Sequence, residues 1–458
     1  MNRRHFLTGA TAIGAGTFGF IPRAARAADL TMTAQPARFA LNGGMTEGML
    51  SYSPDAAPPV IRMKQGQPFI TDLVNNLAEE TTIHWHGLRV PAHMDGVPYL
   101  AQDPVPPGGT FRYEFTPQDA GTYWYHPHCN TLDQMARGLT GIVIVEEAED
   151  PGFDVDLPLN LRDFRLGSDN QFIAFFEARK SAHAGTFGTV MTANWQVNPV
   201  HDLPAGGLVR LRVAATDTTR VYKLFLTDAT GQIIALDGQP VPGPVAWPTQ
   251  QEPLLVAPGQ RADIALRMPD SAGQELTLTA VVPGGTKVLA TFRSTGDSLN
   301  RALSDLTPLV PNPIAQPDLA NAERVDFLFG WSPGGDAPRS SLCGSLGYTF
   351  WSINRVAFAG DFPDPFAPLA VMEQGKTYIL RLQNETENDH PIHLHGMTFQ
   401  VLNSNIRPLM QVFSDTTLLR NHEVIEVAVV ADNPGDWMFH CHVIEHQKSG
   451  LSGYIRVT

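Results

Sequence analysis

Residues 434–444 read PGDWMFHCHVI, and residues 120–130 read AGTYWYHPHCN. Each leads into a glycine-initiated run, GLSGYIRV at 450–457 and GLTGIVIV at 138–145. Each also follows a His-x-His-Gly segment, HLHGMTF at 393–399 and HWHGLRV at 84–90, by about forty residues, which is the mark of an internal repeat. The two ends of the chain are therefore expected to be copies of one β-sandwich.

Outward from the repeat, the same strand signal recurs. TFRYEF (110–115), GIVIVEE (141–147), GLVRLRVAA (207–215), ELTLTAVV (275–282) and VIEVAVV (424–430) are short β-rich runs in a chain of 458 residues punctuated by 40 glycines and 37 prolines. Few segments keep helical periodicity over three turns, so the chain reads as all-β, built of sandwiches or barrels. The middle of the chain has LFLTDATGQIIALDG (224–238) and APGQRADIAL (257–266) but no histidine pairs, and is expected to be a third sandwich without metal. The proline-rich stretch SLNRALSDLTPLVPNPIAQP (298–317) breaks the strand pattern and reads as the linker into the last domain. The expected division is 28–147, 148–300 and 301–458.

The N-terminus, MNRRHFLTGATAIGAGTFGFIPRAARA, sets the expected compartment. Paired Arg3 and Arg4, then Phe6-Leu7, a weakly apolar Gly/Ala stretch and a small-residue ending at Ala27 read as a twin-arginine signal peptide over residues 1–27. The stretch is short and broken by glycines and Pro22, which argues against a membrane anchor. The protein is therefore expected to be periplasmic or secreted. The formal net charge is −14, and losing a leader with four arginines (Arg3, Arg4, Arg23, Arg26) and no acid makes the mature chain more acidic still. Such a surface argues against nucleic acid and anionic membrane as partners, and suits a small reductant or a cation. Three cysteines cannot make a disulfide framework. Two separate thiols are expected at Cys129 and Cys343, with a pairing between them left open.

Ten of the 15 histidines fall in four short windows, at 84–86, 126–128, 390–395 and 440–446. One His-x-His pair is weak evidence, but four windows repeated at both ends of the chain require a common cause. Successive strand residues point to opposite faces, so His84 with His86, His126 with His128, His393 with His395, and His440 with His442 each share a face. Eight imidazoles converging from two domains would make a metal cluster between them. Copper, iron, zinc and nickel all accept imidazole, so parity alone does not choose the metal. Cys441 does. It lies between His440 and His442 and faces the other way. His390 is out of phase with His393, and His446 lies just past the strand. One Cys with two His is the donor set of a blue-copper electron-transfer site. Cys441 would thus bind one metal while its chain neighbours bind a cluster, giving a short covalent path between the two.

HWHG, HPH, HPIHLHG and HCHVIEHQKSGL together resemble the four copper-binding motifs of the multicopper oxidases of the three-domain, laccase-like kind. The motifs stand in the family's order, and the resemblance spans the chain beyond the leader. It implies three consecutive cupredoxin-like Greek-key β-sandwiches and four copper ions. A type 1 copper would lie on His390, Cys441 and His446, and a type 2 copper on His84 and His393. One type 3 copper would lie on His86, His126 and His442, the other on His128, His395 and His440. It also implies one-electron oxidation of phenols, aromatic amines or similar small reductants at the type 1 copper, coupled to reduction of O2 to water, in a monomer. Two other readings are a cuprous oxidase acting on Cu(I) and a non-catalytic protein of the same fold. The 13 methionines are scattered rather than gathered in an insert, and the full ligand set is present, which weighs against each in turn.

The axial position carries Leu451 where many bacterial members have methionine. Leucine cannot coordinate, and losing a thioether disfavours Cu(II) more than Cu(I), so a raised potential is expected. Asp95, in HMDGVP, matches the family's proton-donating carboxylate near the type 2 copper. Gln447 stands where some relatives have a glutamate, so a proton path through that position is not expected. Glu445 reads equally as a partner of the site or a solvated side chain. Glu385, Glu387 and Asp389 precede His390 and read either as a cation-steering group or as a solvated turn. Asp415, in SDTT, has no assigned role, and His93, His183, His201 and His422 read as ordinary loop or surface residues.

Overall fold

A computed structural model describes residues 27–53, 59–333, 343–344, 346–358, 360–361 and 367–458. The expected twin-arginine leader, apart from Ala27, lies outside the described residues. Among the described residues, no helix is long and apolar enough to cross a membrane. The architecture is all-β and cupredoxin-like. Six sheets form three successive pairs, within residues 30–146, 155–295 and 323–457. Each pair encloses a core of its own, centred on Trp85 and Tyr125, on Leu211 and Ile264, and on Phe439 and Trp437. Residues 298–317 contain no strand and only the short 3-10 turn Leu303–Asp305.

The repeat is visible in the pairing. His84–His86 runs antiparallel to Gly121–His126, which runs antiparallel to Gly141–Glu146, itself parallel to Val60–Lys64. At the other end, His390–Leu394 runs antiparallel to Gly435–Cys441, which runs antiparallel to Ser452–Val457, itself parallel to Ala370–Met372. Strand parity sorts the side chains. Tyr123 and Tyr125 enter the first core, and Trp437, Phe439 and Cys441 enter the last. The intervening residues Trp124, His126, His440 and His442 leave those cores for the junction between the sheet pairs. There Trp124 lies against His86, His126 and His442, with ring centroids 4.4–5.2 Å apart. Both faces of these strands are buried, so they read as continuous rather than alternating apolar runs.

Cys129 and Cys343 form a disulfide. This corrects the expectation of two separate thiols. The residues are separated by 214 positions, so no sequence spacing signals the pairing, and chain reversal across the first and last sheet pairs brings them together.

Candidate metal centres

Cross-strand register builds the larger cluster. His84 stands opposite His126, and His393 opposite His440. Residues opposite each other share a face, so each hairpin contributes imidazoles to one side. The two ends of the chain then meet: His84 stacks on His395 at 3.7 Å between ring centroids, and His86 on His393 at 3.8 Å. His442 lies 4.9 Å from His86 and 5.4 Å from His126, while His128 lies 5.4 Å from His440. All eight rings are buried. Ligand atoms of His84, His86 and His126, of His84, His393 and His395, and of His128, His395 and His440 lie within 4.8 Å of one another. These distance groupings cut across the sets implied by the resemblance, with His84 in two of them, because the rings form one compact cluster.

Hydrogen bonds set which nitrogen each ring presents. His126 Nδ1 meets the Pro127 carbonyl at 3.0 Å, and His440 Nδ1 meets the Cys441 carbonyl at 2.9 Å. His84 Nδ1 meets Asp95 O and Oδ1 at 3.0 and 3.1 Å, and His393 Nδ1 meets Asp415 O at 2.9 Å. A carbonyl can only accept, so Nδ1 carries the proton in these four rings and Nε2 keeps its lone pair. Burial, with the neighbouring imidazoles, pushes the His86, His126, His128, His395, His440 and His442 pKa values well below the usual histidine value. These rings are therefore neutral, as metal ligands must be.

Eight of the cluster's buried nitrogens have no hydrogen-bond partner: His84 Nε2, His86 Nδ1, His126 Nε2, both nitrogens of His128, His393 Nε2 and both nitrogens of His442. Leaving one buried polar atom unpaired costs about 1–3 kcal/mol, so eight together are untenable in a purely structural core. Cations among the rings would take the lone pair on each of the six rings, leaving only the N–H of His128 and of His442 without a partner. The residues fit a copper cluster.

On the core side of the same strand, Cys441 Sγ lies 3.6 Å from His390 Nδ1 and 3.6 Å from His446 Nδ1, and those two nitrogens are 3.1 Å apart. Cys441 pairs with Ile392 and His440 with His393, so the thiol and the imidazoles beside it in the chain project to opposite faces. The outer nitrogens are occupied: His390 Nε2 by Thr386 Oγ1 at 3.0 Å, and His446 Nε2 by the His183 carbonyl at 2.7 Å. Burial pulls the His446 pKa down to about 3 and pushes the Cys441 thiol well above the usual cysteine value. Such a thiol ionises only against a cation. Leu451 is fully buried in the same core and takes the Cys441 N–H on its carbonyl at 3.0 Å.

Two carboxylates join the cluster. Asp95, fully buried, places Oδ1 3.1 Å from His84 Nδ1 and Oδ2 2.8 Å from His395 Nδ1, tying a ring from each end of the chain. Asp415, which sequence reading left without a role, holds His393 through its carbonyl and contacts His86 Nε2 at 3.1 Å through Oδ1. Arg261 grips that carboxylate with two hydrogen bonds, at 2.8 and 2.6 Å. Burial alone would raise the Asp415 pKa, but Arg261 and the His393 and His86 contacts hold it well below the usual carboxylate range. Arg261 itself lies in APGQRADIAL, a stretch with no histidine to mark it. Gly87, the glycine of HWHG, makes room for this pair. Its φ is +86°, and a Cβ there would sit 2.6 Å from Arg261 Nη2 and 2.7 Å from Asp415 Oδ2.

Around the Cys441 site, Glu445 is buried and paired, not solvated. It takes hydrogen bonds from Ser181 Oγ, from the Thr186 N–H at 2.6 Å and from Thr186 Oγ1 at 3.0 Å. Gln447 is buried as well, with no hydrogen-bond partner on its amide. Glu385 pairs with Arg355, Asp389 accepts the Asn421 N–H at 3.0 Å, and Glu387 is exposed. His183 has an exposed residue surface, yet its carbonyl caps His446; a main-chain contact of this kind leaves no trace in side-chain motifs.

Two family models described as "Multicopper oxidase" match residues 33–150 and 345–458. The crystal structure of a multi-copper oxidase from Pseudomonas thermotolerans resembles this one with a TM-score of 0.83 at 38% identity, covering 94% of this chain and 100% of that one. The protein named Multicopper oxidase MmcO from Mycobacterium tuberculosis is 28% identical over 94% of this chain and 87% of its own length. Laccase-1 of Cryptococcus neoformans is 27% identical over 87% of this chain and 75% of its own. On these matches of sequence and fold, the chain belongs to the multicopper oxidase family and is an oxidoreductase that uses copper.

Proposed function

We propose that the protein is an exported laccase-like enzyme that oxidises phenols, aromatic amines or similar small reductants at the expense of O2. The observation that carries this reading is Cys441, a donor facing one site while His440 and His442, its chain neighbours, face the other. His390, Cys441 and His446 would hold a type 1 copper, and His84 with His393 a type 2 copper. His86, His126 and His442, and His128, His395 and His440, would hold a type 3 pair, making four ions in all. Bound there, copper supplies one-electron oxidation at the cysteine site and four-electron reduction of O2 to water at the cluster.

The chain's own residues do the rest. Asp95 orients His84 and His395 through their Nδ1 protons and places a carboxylate where protons are consumed. Asp415 and Arg261 fix His86 and His393. The main chain from Cys441 to its two neighbours supplies the short covalent link between the sites, a feature a zinc-binding or purely structural protein has no use for. The expected domains are 28–147, 148–300 and 301–458. Every donor named lies in one chain, which supports a monomer. Export to the periplasm or medium by the twin-arginine route is supported by the leader sequence, and the Cys129–Cys343 disulfide suits an oxidising compartment.

A second donor, Cu(I), is favoured by the net charge of −14. Oxygen uptake by copper-loaded protein separates the two. Turnover of a methoxyphenol without added copper is the expected result. Turnover of Cu(I) alone, or phenol oxidation only with excess copper, would replace the laccase reading with a cuprous oxidase.

A further inference from the structure

Among the described residues, neither histidine of the cysteine site has a ring edge open to a reductant. His390 and His446 are both 0% exposed, and their outer nitrogens are taken by Thr386 and by the His183 carbonyl. Among the described residues, an aromatic path nevertheless runs from these rings to the surface. Trp351, itself 0% exposed, has its ring centroid 4.6 Å from His446 and 5.0 Å from His390. Trp331 stacks on Trp351 at 4.3 Å with 18° between the planes, and is 37% exposed.

Strand geometry fixes this stack. Trp331 and Trp351 are direct partners where Glu323–Trp331 pairs antiparallel with Trp351–Ile353, so the two indoles share a face by register. The Trp351 indole N–H donates to the Ser181 carbonyl at 2.9 Å, which sets the plane of the inner ring. A single exposed tryptophan is ordinary. One stacked on a buried indole that touches both histidines of a candidate electron-transfer site is a connected π system from solvent to that site.

We propose that Trp331 is the docking and electron-uptake site for aromatic reductants, and that the Trp331–Trp351 stack relays electrons to the trio of His390, Cys441 and His446. This rests on the reading of that trio as the type 1 site. A phenol stacked beside the exposed indole loses one electron into the stack and its O–H proton to solvent, leaving as a phenoxyl radical. The electron crosses the two indoles to the trio, and O2, with four such electrons and four protons, becomes two waters. A flat aromatic donor gains from offset stacking on Trp331, whereas an inorganic complex anion does not.

The test compares copper-loaded wild type, Trp331→Ala and Trp331→Phe. Anaerobic rapid mixing with a methoxyphenol, and separately with hexacyanoferrate(II), follows the bleaching of the thiolate–copper colour. Peptide mapping after aerobic turnover locates covalent phenoxyl adducts, which form where the radicals are released. Trp331→Ala should slow bleaching by the phenol about tenfold, Trp331→Phe should keep most of the rate, and hexacyanoferrate(II) should change by less than about twofold. Wild-type adducts should concentrate on Trp331 and its strand neighbours. An unchanged phenol rate in Trp331→Ala, equal slowing with both donors, or adducts mapping elsewhere in the wild type overturns the port. A wild type that binds copper without the thiolate colour overturns instead the type 1 reading beneath it, so the two failures are told apart.

Discussion

Arg261 is fully buried and touches parts of the chain far apart in sequence. Its Nε donates to the Thr122 carbonyl at 3.1 Å, and its Nη atoms hold the Asp415 carboxylate, which in turn contacts His86. The middle pair of sheets carries none of the clustered histidines, yet through this side chain it positions two of the rings. Removing one partner of a buried ion pair strands the other charge, at a cost of about 3–5 kcal/mol. Arg261→Met should therefore lower the thermal midpoint and weaken copper retention. Arg261→Met with Asp415→Asn should recover part, not all, of the stability: the Asp415 charge is gone, while buried Asp237, 3.6 Å from Arg261 Nη1, still loses its cation. Thermal melts and copper analysis of both variants check this; equal destabilisation by the single and double changes would show that the charge pair is not the cause.

At the scale of elements, residues 177–186 form a cover over His446. The helical turn Ala178–Ser181 and the residues that follow are held by Glu445 through Ser181 and Thr186, and Trp351 and Tyr348 also bond to Ser181. Replacing Glu445 by Ala removes both acceptor oxygens and leaves the buried Thr186 N–H without its partner. In Glu445→Ala the Thr186 amide should exchange with solvent at least about tenfold faster than in wild type, which is a loss of roughly 1.4 kcal/mol of local protection. Hydrogen exchange read by mass spectrometry checks it, and wild-type protection in the variant would contradict the latch. This element also marks where sequence reading stops. Strand parity around His440, Cys441 and His442 could be read because i and i+2 are neighbours in the chain, and the HWHG and HLHG segments could be matched by repetition. The Glu445 latch spans 259–264 residues, and its other half is a serine at the end of a helical turn and a threonine beyond it, neither in a motif. The His183 cap uses a main-chain carbonyl that any residue could supply. Asp415 stood out in SDTT but gained a role only when the fold brought Arg261 to it.

Over the whole molecule, the first and last sheet pairs close on one another around the histidine cluster, held by several contacts. Asp95 ties His84 to His395, Asn433 bonds the Val90 carbonyl, and the disulfide joins Cys129, the residue after His128, to Cys343. Closing so long a loop stabilises a fold by about 2–5 kcal/mol in chain-entropy terms. All-β content, repetition and acidity could be read from composition and pattern alone, but the disulfide could not, because its two half-cystines carry no spacing signal. The central claim concerns the strand that ends Phe439-His440-Cys441, with His442 just beyond it: one face serves a single ion and the other serves a cluster. The most direct test is copper stoichiometry with the visible spectrum of wild type and Cys441→Ser, each loaded to saturation and then dialysed. The account predicts about four coppers and an intense thiolate band in wild type, and about three coppers and no band in Cys441→Ser. A variant that keeps both the band and the full copper content, or a wild type that folds without holding copper, would contradict it.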